Sequence, residues 1–164
     1  TGEVLGLAST FGEAFFKAQE ATQTVLPTEG MVLMSINDRN KIDLVDVANS
    51  FVDAGFSIMA TEGTHRALAQ AGIESEKVNK AGEGRPDLID RITNGEVAIV
   101  INTPSSSSES MEDDSYIRKA AIKAHVPYVT TMAGGKASAL GIRAVNEGAD
   151  DTVLSLQEIH AAIR

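Results

Sequence analysis

Short apolar runs alternate with amphipathic stretches along most of this chain. The runs predict β-strands at residues 31–36, 56–60, 97–101 and 126–131, and a short extended piece at 77–80 adds a fifth. The run at 97–101 is β-branched at all but one position, as expected for a central strand covered on both faces. Because strand is followed by helix several times in succession, the pattern predicts a parallel sheet and the α/β class.

Apolar residues at helical spacing predict the helices around these strands. The predicted helices span residues 10–21, 41–54, 64–71, 86–93, 116–124, 134–147 and 156–163. Thr10 and Glu13 have the spacing of a capping box at the start of the first helix. Pro86 suits the first turn of the helix at 86–93. A Ser tract followed by acidic residues predicts a loop over 105–114, which places Asp113 and Asp114 just ahead of the next helix.

The composition narrows the classes of partner. The 14 Lys and Arg against 23 Asp and Glu give a formal charge of −9, which repels nucleic acids and anionic membranes. A hydrophobic content of 43% without Trp favours an aliphatic core, and 164 residues suffice for one domain. The lack of Cys excludes disulfides and thiolate catalysis. With no secretory signal and no apolar run near the roughly 20 residues of a membrane span, we expect a cytoplasmic protein.

Polar side chains collect at the predicted carboxyl ends of the strands, where open α/β sheets bind their ligands. The candidate site residues are Lys41, Thr61, Gly63, Thr64, Lys80, Arg85, Asn102, Thr103, Thr130 and Thr131. The turn at 61–64 brings hydroxyls and free backbone N–H groups to a helix N-terminus, a usual phosphate site. Because the set has neither a carboxylate pair nor a nucleophile with a base, we expect a binding site with no catalytic residue and no metal.

Most of the candidates also have a purely structural interpretation. Thr61 and Thr64 have the chemistry of helix caps, and the lysines and Arg85 that of solvated surface charges. Thr130 and Thr131 could pair their hydroxyls with a neighbouring strand. The three histidines, His65, His125 and His160, have no metal-ligand spacing, and none is placed to activate a serine of the Ser tract.

Several motifs in order resemble the large chain of carbamoyl phosphate synthases. Residues 1–19 are similar to the end of its second ATP-grasp half. From residue 30 onward the chain resembles its C-terminal allosteric domain, through the segments 43–48, 55–56, 60–64, 78–80, 83–86, 94–95, 101–103, 117–118 and 130–131. The resemblance implies that residues 1–30 are a helix and linker from the preceding synthetase domain. Residues 31–164 would then be the methylglyoxal synthase-like allosteric domain, and the start at Thr1 without Met suits a segment of a longer chain.

The resemblance implies a Rossmann-like three-layer sandwich around a mostly parallel five-stranded sheet. It also implies a site for UMP as inhibitor and IMP as activator, which the resemblance assigns to Lys41, Thr61, Thr64, Lys80, Asn102 and Thr103. Thr130 and Thr131 would lie at the pocket edge or at a domain junction, where ornithine binds in this family. The parent enzyme is an ATP-dependent ligase that uses Mg or Mn, works with a glutaminase small chain and serves pyrimidine and arginine synthesis. Because this segment lacks ATP-grasp motifs, we expect it to hold no cofactor and to be non-catalytic alone.

Departures from the family pattern leave alternatives open. Pro104 stands in place of a second Thr and removes a hydroxyl and an N–H donor, and a Ser-rich loop follows where the family often carries basic residues, which leaves the affinity and the choice between UMP and IMP open. The intact set of Lys41, Thr61, Thr64 and Lys80 disfavours an N-acetylglutamate site, which stays an alternative. A methylglyoxal synthase-type lyase acting on dihydroxyacetone phosphate is the enzymatic alternative. Arg85 lies near where that enzyme's carboxylate belongs, and Ser and Glu fill the loop that would supply its His, so we expect binding without turnover. A free-standing nucleotide-sensing adaptor is a further alternative.

Overall fold

Five parallel strands form one sheet in the order β3-β2-β1-β4-β5. The computed structural model describes residues 3–22, 24–104, 108–148 and 154–162, with backbone alone for 108–112. The strands are β1 Met31–Ser35, β2 Ser57–Thr61, β3 Glu76–Val78, β4 Ile99–Asn102 and β5 Tyr128–Val129. The helices are α1 Phe11–Ala21, α2 Leu44–Asp53, α3 Glu62–Gln70, α4 Leu88–Thr93, α5 Ser108–Lys123, α6 Met132–Asn146 and α7 Leu156–Ala162, with a 3-10 helix at Asp38–Asp43. The predicted α/β class and parallel five-stranded sheet are confirmed.

Apolar side chains cover both faces of the sheet, as predicted for parallel strands. Along β1, Val32 and Met34 point into the core under α2, α3 and α6, while Leu33 points into the core under α4 and α5. This alternation follows from the two-residue period of a strand. The result is a three-layer sandwich with helices on both faces, as expected.

Helix α1 lies outside this sandwich and packs against α6. Its predicted capping box is confirmed, since Thr10 Oγ1 accepts from Glu13 N and the Glu13 carboxylate accepts from Thr10 N. Close approach of the two helices depends on Gly12, where a Cβ would lie 2.6 Å from the Leu140 carbonyl oxygen. Phe16 of α1 joins the buried core. A domain boundary near residue 30 stays a prediction.

The sequence placed several element boundaries wrongly. Pro86 precedes α4 and does not lie in its first turn, because the Asp87 carboxylate caps the helix by accepting from Ile89 N and Asp90 N. The region 38–43 is a 3-10 helix, started by Asn37 Oδ1 accepting from Asn40 N, and α2 begins only at Leu44.

The predicted loop over 105–114 is wrong from residue 108 onward. Helix α5 begins at Ser108, so Asp113 and Asp114 lie inside the helix and not ahead of it. Residues 105–107 of that loop, and residue 163 at the end of the predicted C-terminal helix, lie outside the described residues. In the described part of the chain, no helix combines the length and the apolar character needed to cross a membrane.

Candidate ligand-binding site

A pocket of about 230 Å³ lies beyond the carboxyl ends of β1, β2 and β4. The predicted site residues among its lining are Lys41, Thr61, Gly63, Thr64, Lys80 and Thr103. The rest of the lining comprises Ser35, Ile36, Asn37, Asp38, Ala81, Leu88, Asp113, Asp114 and Ile117. The structure therefore brings together residues from distant parts of the sequence, at the edge of the sheet where a ligand was expected.

Two buried threonine hydroxyls tie neighbouring strand ends together at the base of the pocket. Thr64 Oγ1 accepts from Ile36 N at 3.0 Å and so joins α3 to the end of β1. Thr103 Oγ1 accepts from Asn37 N at 2.8 Å and joins the end of β4 to the same segment. Asn37 Nδ2 completes the link by donating to the Pro104 carbonyl oxygen. These bonds fix the shape of the pocket before any ligand arrives.

The N-terminus of α3 opens into the pocket without a side-chain cap. Thr61 occupies the N-cap position, but its side chain makes no capping hydrogen bond and lies 3.5 Å from Thr64 Oγ1. Thr10, Asp87 and Thr131 do cap their helices. The first-turn N–H groups of a helix need acceptors and carry the positive end of its dipole. An anion is the partner that this end favours.

Two lysines add positive charge to the pocket, and one of them lies at this helix end. Lys41 Nζ lies close to Gly63 in the first turn of α3 and pairs with Asp38 Oδ1 at 2.6 Å. The Asp38 side chain is 94% exposed, so the pair is weak and an incoming anion can compete with it. Lys80 is exposed at the pocket, and within the described residues it forms no ion pair.

Three carboxylates also line the pocket, and none of them was among the predicted site residues. Asp113 and Asp114 reach it from α5, and Asp38 stands beside Lys41. The hydrogen bond and charge of Lys41 lower the pKa of Asp38, which keeps that carboxyl ionised. The acidic run after the Ser tract is the sequence feature that could have indicated these two residues, because acidic side chains favour the N-terminal part of a helix.

Asn102 lies behind the pocket and is absent from its lining. Its side chain is buried, and Nδ2 donates to Asp114 Oδ1 and to the Tyr128 hydroxyl, at 2.8 Å each. Burial raises the pKa of Tyr128, so its phenol stays protonated at neutral pH. The predicted site residue thus contacts a pocket carboxylate in the described structure.

The remaining predicted residues lie outside this pocket. The Arg85 side chain is 85% exposed, with Nη1 3.5 Å from Asp90 Oδ1, and lines a neighbouring cavity that shares Ala81 and Asp113 with the pocket. Thr130 is exposed after β5. Thr131 Oγ1 accepts from Gly134 N and caps α6, which is a structural role.

Residues 43–130 match the family model described as the MGS-like domain. The chain belongs to the MGS-like domain family. Over 98% of its length it is 44% identical to the carbamoyl phosphate synthase large chain of Acidobacterium capsulatum, of which it covers 14%. It is 44% and 42% identical to proteins named carbamoyl phosphate synthase large chain, C-terminal section, from Methanopyrus kandleri and Aquifex aeolicus, of which it covers 29% and 30%.

These findings confirm the family resemblance drawn from the sequence motifs. The chain spans less than a third of the length of these curated relatives. Its histidines stand apart from the pocket lining, and His65 Nδ1 lies 2.8 Å from Ser75 Oγ. Among the described residues, no group of three or more His, Asp or Glu side chains is placed to hold a metal ion.

Proposed function

We propose that this MGS-like domain is a regulatory section of a carbamoyl phosphate synthase large chain and binds a nucleoside monophosphate, UMP or IMP, in the pocket. The observation that carries the proposal is the uncapped N-terminus of α3, with Lys41 Nζ beside Gly63. An overall charge of −9 repels anions, so a phosphate needs a local site of this kind.

The phosphate would bind between α3 and the two lysines. Lys41 exchanges its exposed partner Asp38 for the phosphate, and Lys80 supplies a second positive charge from the pocket lining. The first-turn N–H groups and the hydroxyl of Thr61 donate the remaining hydrogen bonds. Charge-assisted bonds of this type are stronger than neutral ones.

The aspartates favour a ligand that carries hydrogen-bond donors as well as a phosphate. Asp113 and Asp114 repel phosphate oxygens but accept from hydroxyl and N–H groups. A nucleoside monophosphate has its phosphate at one end and ribose hydroxyls and base N–H groups at the other. Its phosphate therefore suits the lysines of the pocket lining, and its donors suit the aspartates.

Regulation would pass from this pocket to the rest of the large chain. A nucleotide in the pocket would change the ligase activity if it bound one arrangement of the domain interface more tightly than another. A coupling free energy of about 1–3 kcal/mol between the two sites is enough for such regulation. The proposed partners are the synthetase domains, the glutaminase small chain and, at the domain junction, ornithine. ATP, with Mg or Mn, belongs to those other domains, and the parent reaction serves pyrimidine and arginine synthesis.

A second candidate is a methylglyoxal synthase-type lyase acting on dihydroxyacetone phosphate. The carboxylates of Asp113 and Asp114 beside a phosphate site favour it, because such a reaction needs a base near the bound phosphate ester. No histidine in the described residues lines the pocket.

Calorimetric titration of the chain with UMP, IMP and N-acetylglutamate, with dihydroxyacetone phosphate turnover assayed in parallel, tests both candidates. We expect UMP or IMP to bind without turnover. Production of methylglyoxal would establish the lyase and overturn the regulatory proposal. If only N-acetylglutamate bound, the effector would belong to a different chemical class. If none of the three compounds bound, the proposed effector role would be wrong.

A further inference from the structure

Asn102 uses both hydrogens of its side-chain amide to join three elements. Nδ2 donates to Asp114 Oδ1 on α5 and to the Tyr128 hydroxyl on β5. The amide oxygen is buried, and in the part of the chain that the structure describes it has no hydrogen-bond partner. A buried acceptor without a partner costs stability. The two bonds of the nitrogen, and not the oxygen, therefore determine how this amide is oriented.

The reverse orientation of the amide is unfavourable. It would place Asn102 Oδ1 against the Asp114 carboxylate, and two acceptors have no hydrogen to share. A phenol can donate as well as accept, so Asp114 sets the orientation of the amide, and the Tyr128 oxygen accepts the second amide hydrogen. The tyrosine thus completes the orientation that presents an N–H to Asp114.

We infer that Asn102 and Tyr128 are positioning residues, which hold the Asp114 carboxylate at the pocket wall so that it accepts hydrogen bonds from the sugar or base of a bound nucleotide. This inference rests on the proposed function. Asp114 lines the pocket, whereas Asn102 and Tyr128 do not, so their effect on a ligand passes through Asp114. Inorganic phosphate at neutral pH is mainly an acceptor and gains nothing from a carboxylate.

This difference between ligands provides the test. In titrations of the 164-residue chain, Tyr128→Phe should bind UMP about threefold to tenfold more weakly, because one hydrogen bond behind Asp114 is lost. Inorganic phosphate should bind within about twofold of the unaltered chain. The matched control is Tyr116→Phe, since Tyr116 is the chain's other tyrosine, is exposed, and within the described residues has no hydrogen bond through its hydroxyl. It should change neither affinity.

A double-mutant cycle tests the route through Asp114. In an Asp114→Ala background, Tyr128→Phe should weaken UMP binding by less than about twofold, because there is no carboxylate left to position. If Tyr128→Phe weakened UMP binding by the same factor with and without the Asp114 carboxylate, that result would overturn the inference. So would unchanged UMP binding in Tyr128→Phe, or equal losses for UMP and inorganic phosphate, which indicate general damage to the fold.

Titration of the unaltered chain distinguishes a failure of the proposed function from a failure of the inference about Asn102 and Tyr128. If it binds neither UMP nor IMP, the proposed function fails and the inference fails with it. If it binds UMP and the Tyr128→Phe comparison gives no difference, the inference alone is overturned and the nucleotide site stands.

Discussion

The ammonium nitrogen of Lys41 lies against Gly63, in the first turn of α3. A Cβ built on Gly63 would be 3.3 Å from Lys41 Nζ, which is a tight contact. The missing side chain therefore lets a cation approach the uncapped N–H groups of the helix. One anion can then contact the lysine and the helix end together.

Replacement of Gly63 by alanine should move stability and binding in opposite directions. Alanine removes the entropic cost of glycine in a helix, so the free energy of unfolding should rise by about 0.5–1 kcal/mol. The new methyl group displaces Lys41, so UMP affinity should fall by roughly twofold to fivefold as a charge-assisted bond lengthens. Urea denaturation and calorimetric titration measure the two effects. An unchanged UMP affinity would contradict the role given to Lys41.

Removal of the charge of Asp38 should strengthen anion binding. Asp38→Asn weakens the exposed pair that holds Lys41, so we expect UMP to bind about twofold to fivefold more tightly at low salt, with the gain shrinking as salt is added. The midpoint of thermal unfolding should stay nearly constant, because exposed ion pairs contribute little to stability. Asp53→Asn, an exposed aspartate at the end of α2, controls for net charge and should leave the affinity unchanged.

Lys80 should contribute to binding and not to folding. Lys80→Ala removes an exposed cation that has no ion pair in the described residues, so UMP affinity should fall about tenfold or more while the unfolding curve stays in place. Lys123→Ala is the matched control, since Lys123 is also exposed but ends α5 far from the pocket. Equal effects of the two substitutions would reduce the role of Lys80 to a contribution to net charge.

Asp87 should make the stability of the domain depend on acid pH. Burial alone would raise its pKa, but hydrogen bonds from Gly82 N, Asp90 N and Ile89 N lower the pKa overall. A lowered folded-state pKa means that the stabilisation is complete above the unfolded value and is lost below about pH 4. Asp87→Asn replaces one acceptor by a donor facing Gly82 N, and should cost about 0.5–2 kcal/mol at pH 7.

Urea denaturation of both forms at several pH values measures this effect. The difference in free energy of unfolding between the unaltered chain and Asp87→Asn should be largest near neutral pH and should shrink as the pH falls. A difference that stays constant down to strongly acid pH would show that the Asp87 charge has no part in capping α4. Asp53→Asn serves again as the exposed control.

The periodic parts of the fold could be predicted from the sequence, and the aperiodic parts could not. The β-branched run at 97–101 indicated a buried strand, and β4 lies there with both faces covered. The Ser tract and acidic run before Tyr116 have no apolar period, so the first half of α5 went unrecognised. For the same reason, Asp113 and Asp114 were not predicted to be pocket residues.

Site residues that are close together in the sequence could be predicted, whereas contacts between distant parts of the sequence could not. Thr61, Gly63 and Thr64 were predictable because a strand end and a helix start meet within four residues. The partners of Asn102 were not, since Asp114 and Tyr128 approach it only after α5 and β5 have packed beside β4. A sequence pattern indicates that Asn102 ends a strand, but not whether its amide contacts a ligand or another side chain.

Thr61 is both the last residue of β2 and the N-cap of α3, so no linker separates strand from helix. This base of the pocket therefore continues directly from the sheet, without a loop that could close around a ligand. Lys41 and Asp114 belong instead to the 3-10 helix and to α5, which contribute other parts of the lining. A ligand-induced displacement would start in these two elements, which makes the outer surface of α5 the place to look for a signal leaving the domain.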